Sequence, residues 1–191
     1  MGIIYKLSKQ VSNEKLKCFI EGIFYSKLSY CLCVYGNVLG LEVYKDNSTK
    51  YISYTKKDNH KLQVLQNKIN RILTKSSHRT STKDLLNMTN SLSIQQMIAL
   101  QTILMTFKIL KTSKPQYLAN KIRYAENHHM LRSSSNSLQK SNLKLSQSRE
   151  GFINRSITLY NILHEGKRKC CGINQFKGET RKLVKEHFQV K

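Results

Sequence analysis

Hydrophobic positions recur at steps of three and four along most of this chain, the period of a helix with one buried face. Over residues 12–35 the stripe reads Leu16, Phe19, Ile20, Ile23, Phe24, Leu28, Cys31, Leu32 and Tyr35. Ser12 or Asn13 can open that helix and Gly36-Asn37 can close it. Gly40, Asp46-Asn47-Ser48 and the tyrosine-rich YISY from Tyr51 to Tyr54 then break the rhythm and predict a loop or a short β-hairpin. After Asp58, a candidate cap, the segment HKLQVLQNKINRILTK places Leu62, Leu65, Ile69, Ile72 and Leu73 on one face. Ser81 with Asp84 resembles a capping box opening a short helix, and Ser93 with Gln96 repeats the device. The next helix is apolar almost all round, from Ile94 through Met97, Ile98, Ile103, Leu104 and Phe107 to Leu110, so it is expected at the centre of the core until Pro115 stops it. Helices at about 60–75, 82–90 and 94–112 predict a three-helix unit.

From Asn127 to Ser148 the chain turns to Ser, Asn, Gln and Lys, a polar connector in which Leu143-Lys144-Leu145 is the candidate strand edge. Phe152, Ile153, Ile157, Leu159, Tyr160 and Leu163 then predict an amphipathic helix. A last one carries Phe176, Leu183, Val184 and Phe188 beside Lys177, Arg181, Lys182 and Lys185, with Gly178 inside it. The expected fold is mostly α: a small helical bundle over residues 1–115, a polar linker over 116–150 and basic C-terminal helices over 151–191.

Charge changes this picture most. Thirty-three Lys and Arg against 11 Asp and Glu give a net charge of +22, which opposes compaction and attracts polyanions, nucleic acid above all. On the helix near residues 60–75, Lys61, Lys68, Arg71 and Lys75 fall within an arc of about 80°, with no carboxylate four residues away to relieve their repulsion. His78, Arg79 and Lys83 continue the run. Lys61, Lys68, Arg71, Lys75, Arg79 and Lys83 are therefore assigned to phosphate contacts, with Arg132, Arg149, Arg155 and Lys167-Arg168-Lys169 as a second patch. Lysines supply charge without sequence readout, so binding should be salt-sensitive and sequence-tolerant. For Tyr51 and Tyr54, packing in a loop is weighed against stacking on bases.

Other chemistry is harder to build. Cys31-x-Cys33, Cys170-Cys171 and His128-His129 lack zinc-site spacing, and five cysteines without a secretory signal predict free thiols. There is no Gly-rich phosphate loop. Asp46, Asp58 and Asp84 each stand alone, which rules out the clustered carboxylates of a two-metal polymerase or nuclease. No cofactor and no enzymatic activity are expected of this chain. Glu21, Lys27, Gln101 and Lys108 interrupt the apolar stretches, so no membrane span is expected, and the cytoplasm or nucleus is the expected location.

The order of the pieces carries more information than any one of them. Tyr25, Ser26, Leu28, Ser29, Tyr30, Val34, Tyr35 and Gly36, followed by Leu62-Gln63, Gln66, Asn67, Lys68, Arg71 and Leu73, resemble the segment after the palm in reverse transcriptases of non-LTR retrotransposons, particularly jockey-like elements. There a run like Y-S-x-L-S-Y-G-x-x-V-W-G precedes L-Q-x-x-Q-N-[RK]-x-x-R-x-[IL]. The resemblance runs on through HRTSTKDLLN to FINRSITLYNILHE and QFKGETRKLVKEHF, covering nearly the whole chain. Tyr35 replaces the usual Trp, Cys31 a common Gly and His164 a usual Pro, and the stretch from Leu39 to His60 is longer than the common spacer. The resemblance implies a thumb-like bundle that grips RNA, DNA or an RNA-DNA hybrid behind a polymerase site, the catalytic aspartates, palm and fingers of the parent enzyme lying upstream of Met1. Two alternatives stand beside it: a helical protein-interaction module that buries the Leu62 to Leu73 face against a partner, and a decayed retroelement remnant without activity.

Overall fold

In the computed structural model, which describes residues 2–30, 32–35, 42–45, 48–50, 57–125, 137–140, 151–163 and 172–189, the chain is mostly helical. It divides into two compact units, the first formed by Met1–Leu41, Tyr51–Ile98 and Gln189–Lys191, the second by Glu42–Lys50 and Ala99–Phe188. The division falls inside the helix that spans Ile94–Thr112. That helix is buried along most of its length.

The first unit starts with α1 (Gly2–Ser8) and α2 (Asn13–Ile20), a π-helical segment (Glu21–Tyr25), α3 (Ser26–Ser29) and α4 (Leu32–Tyr35). The single helix expected over residues 12–35 is interrupted twice. A π turn inserts a residue into the helical repeat, and within it the stripe changes exposure: Leu16 and Ile20 are buried while Ile23 is 48 % exposed. At Tyr30 the backbone becomes extended (ψ 120°) and the side chain points into solvent. Ser12 stands at the N-cap with extended backbone but makes no side-chain cap bond. Cys31, Tyr51 and Tyr54 lie outside the described residues.

The frame of this unit is α5 (Lys57–Thr74), which begins one residue before Asp58. At about 100° per residue its positions sort into three faces. Leu65, Ile69, Ile72 and Leu73 form the apolar face. It packs with Ile4 and Leu7 of α1, Leu16 and Ile20 of α2, and Phe24 and Tyr25 of the π-helical segment. Gln63, Gln66, Asn67 and Asn70, spaced i, i+3, i+4, i+7, form an amide face. Lys61, Val64 and Lys68 form an exposed face.

The amide face positions α6 (Thr82–Thr89) and the start of α7 (Ile94–Thr112). Gln63 donates to Gln66 Oε1 (2.9 Å) and Asn67 Oδ1 (3.0 Å), and accepts from the Ile94 amide (3.1 Å). Gln66 Nε2 donates to the Leu92 carbonyl (2.7 Å) and the Tyr25 hydroxyl (3.2 Å). Asn67 donates to Thr82 Oγ1 (2.8 Å), and Asn70 to Ser91 Oγ at the longer distance of 3.4 Å. Both expected capping devices form. Ser81 Oγ accepts from the Asp84 amide (3.2 Å), while Ser93 and Gln96 exchange reciprocal bonds (2.9 and 3.2 Å). Helices α5 and α6 end at Lys75 and Asn90 in the left-handed region (φ 51° and 50°), where the next amide folds back onto Arg71 O and Leu86 O.

In the second unit the remainder of α7 is followed by α8 (Gln116–Ala119), α9 (Phe152–Ile162) and α10 (Ile173–His187). Phe107 and Phe176 stack with centroids 4.0 Å apart, and Tyr160 lies 6.5 Å from Phe176. Asn161 clamps Leu138 like a neighbouring strand, its amide donating to the Leu138 carbonyl and accepting from the Leu138 N–H, both at 2.8 Å. The polar connector is therefore tied down at one point, with Leu138 buried and bridged to Tyr124; the LKL segment lies outside the described residues. The expected hairpin forms from β1 (Glu42–Lys45) and β2 (Ser48–Lys50), antiparallel with Val43 opposite Lys50 and Lys45 opposite Ser48. A two-residue strand, β3 (Phe188–Gln189), extends it in the order β2-β1-β3.

Gln66→Leu removes the donor to a buried carbonyl and should cost about 1–3 kcal/mol in urea unfolding. Asn70→Leu should cost less, because Asn70 Oδ1 is buried without a hydrogen-bond partner already. Burial pushes the Tyr25 hydroxyl above its ordinary value of 10.0, against the lowering effect of bonds to Gln66 and Ser91 and with a small contribution from Glu21. A native state that holds its proton more tightly than the unfolded chain keeps this stability below the ordinary phenol pKa and loses it as pH rises through the folded value. Tyr25→Phe should therefore flatten the fall in stability above about pH 10 relative to the parent chain, measured by unfolding at stepped pH.

Candidate nucleic-acid interface

The first unit brings together the cations assigned on α5, α6 and the turn between them. Lys61 and Lys68 are exposed one face away from the core. The Asn67–Thr82 bond sets the first turn of α6 against the middle of α5, so Lys68 and Lys83 each adjoin a member of that bonded pair. Arg79 and Lys83 are exposed, as is His78 between them and Lys75. Asp84, the one acidic residue between positions 61 and 120, is engaged by the Ser81 hydroxyl (2.6 Å) at the start of α6. A carboxylate at a helix N-terminus is stabilised by the exposed amides there, so the one acid in this stretch of sequence is held at the cap.

Two members of the assigned set depart from expectation. Arg71 is half-buried, and its Nη2 donates to the Thr80 carbonyl (3.2 Å) while Nε is buried without a hydrogen-bond partner. It ties the turn after α5 back onto the helix and is a positioning residue for Arg79. Lys75 lies beyond the last turn of α5 in left-handed backbone, so the helical arc ends at Arg71.

The second patch is corrected at Arg155. It is 2 % exposed on α9, where it cannot offer a surface charge to a polyanion. Its position three residues after Phe152 and four before Leu159 puts it beside the apolar stripe, a signal present in the sequence. Arg132, Arg149, Lys167, Arg168 and Lys169 lie outside the described residues.

Beside the basic face, the first unit carries an apolar groove of about 500 Å³, lined by Ile4, Phe24, Leu28, Leu62 and Leu65 among others, with Lys27 as its charged lining residue. Among the described residues no three His, Cys, Asp or Glu side chains converge to hold a metal ion, and no helix is long and apolar enough to cross a membrane. Cys18 is a free, exposed thiol.

Arg71→Gln should lower stability by about 1–3 kcal/mol, because the Thr80 carbonyl loses its donor. Lys68→Gln on the exposed face should stay within about 0.5 kcal/mol of the parent. Chemical denaturation of the two variants side by side checks the distinction between a tether and a surface charge.

Compared with family models, curated proteins and solved structures, the chain matches none of them.

Proposed function

We propose that the first unit binds nucleic acid through its phosphate backbone, with Lys61, Lys68, Lys75, Arg79 and Lys83 as the contacting cations. The observation that carries this reading is the exposed basic face of α5 and α6, held on a hydrogen-bonded frame. A polyanion whose phosphates meet these exposed cations releases its own condensed counterions, which favours the complex. The finer reading, a thumb-like grip on template-primer duplex behind a polymerase site, is supported by the ordered resemblance to non-LTR retrotransposon reverse transcriptases. No catalytic role is proposed for any residue of this chain.

A second reading, a helical interaction module, is favoured by the groove. The greater part of the Leu62 to Leu73 face is already covered by α1, α2 and the π-helical segment, which leaves the groove lined by Leu28, Leu62 and Leu65 as the apolar surface for a partner.

Fluorescence anisotropy with an RNA-DNA hybrid duplex, repeated across salt concentrations, separates the two. The first reading predicts a linear fall of log affinity with log salt, the slope shrinking by about 0.9 for each contacting cation changed to Gln among Lys61, Lys68, Arg79 and Lys83. Affinity and slope unchanged in the quadruple variant would sink the assignment. Association with a cellular protein that survives nuclease and high salt, and is lost on Leu28→Glu, would carry the second reading instead.

A further inference from the structure

Helix α10 of the second unit holds a glycine that its packing does not explain. Gly178 lies in the interior of a 15-residue helix, where glycine costs about 1 kcal/mol relative to alanine. A Cβ built there meets no atom within 4 Å, so no close approach inside the fold demands its absence. Gly178 is exposed, and its surroundings on the helix are not neutral. At about 100° per residue, Lys177, Gly178, Arg181, Lys182 and Lys185 share an arc of about 140°, with Lys182 and Lys185 on either side of the glycine direction. All four cations are exposed. The core face, Phe176, Thr180, Leu183 and Val184, is on the far side. Of the two acids, Glu179 pairs with Lys182 at 3.6 Å, and Glu186 falls with it on the flank of the arc.

We propose that this face of α10 is a second phosphate-binding surface, in which Gly178 leaves a shallow floor where a nucleic-acid backbone approaches the helix closely and Lys177, Arg181, Lys182 and Lys185 surround it. Glycine is the residue that permits such an approach, and the cations supply charge to phosphate oxygens as they would on any duplex or single strand. The assignment rests on the reading of this chain as a nucleic-acid binder, and it adds α10 to a second patch in which Arg155 is buried.

The floor makes an unusual demand: filling it should strengthen the fold and weaken the complex. Gly178→Leu restores a good helix former at a site with open space, and should raise the thermal midpoint of the full chain by about 2–4 °C. The same substitution should weaken binding to a defined RNA-DNA hybrid duplex roughly tenfold, while Lys177→Gln with Lys185→Gln should reduce the salt slope by about 0.9 per contact. Gly178→Ala, a smaller filling, should fall between parent and Gly178→Leu in affinity. A stabilised Gly178→Leu chain with parental duplex affinity overturns the proposal, and so does a Gly178→Leu chain that loses only its binding to phosphatidylserine vesicles. If the parent binds duplex and only the α5 and α6 variants weaken it, this inference fails and the reading of the first unit stands; if the parent does not bind at low salt, both fall.

Discussion

Four uncharged amides on one face of α5 set the geometry of the first unit. Apolar burial is non-directional, and the Leu65, Ile69, Ile72 and Leu73 face could slide against its neighbours at little cost. Buried amides cannot, because each donor or acceptor left without a partner costs about 1–3 kcal/mol. Gln63 and Gln66 are satisfied by the Ile94 amide and the Leu92 carbonyl, and Asn67 by Thr82. Those bonds fix where α6 starts and where α7 enters. The positions of Lys68, Arg79 and Lys83 depend on them, since each cation sits within a few residues of a bonded anchor.

This division of labour explains why the run resembling L-Q-x-x-Q-N-[RK]-x-x-R is mostly architectural here. Its second glutamine and its asparagine are buried, its arginine ties down the following turn through the Thr80 carbonyl, and Lys68 alone of the group is a surface cation. A charge on α5 or the turn after it is useful to a polyanion only if the amides beneath hold it still.

Helices α5, α6 and α7 are legible in the sequence because local signals agree: a clean apolar period, Ser81 and Ser93 as caps, and an all-round apolar segment for the centre. The features that escape it do so for physical reasons. Helix α1 is seven residues long and offers only Ile4 and Leu7 to the core, too few for a period to register. The break at Tyr30 is a backbone choice that leaves the hydrophobic spacing intact on paper. The buried amides do have a signature in their i, i+3, i+4, i+7 spacing, but the louder charge of their basic neighbours masks it. Arg155 shows the converse: charge alone suggests exposure, although its neighbours at i−3 and i+4 are Phe152 and Leu159.

On the proposed reading, nucleic acid meets the exposed face of α5 and α6 while the amide face behind it stays intact. Amide chemical-shift mapping of the labelled full chain during titration with hybrid duplex tests it directly. Perturbations are expected at Lys61, Lys68, Arg79 and Lys83, with the side-chain amides of Gln66 and Asn67 unmoved. Shifts centred on Leu28, Leu62 and Leu65, or movement of the Gln66 and Asn67 side-chain amides with none at the cations, would contradict it.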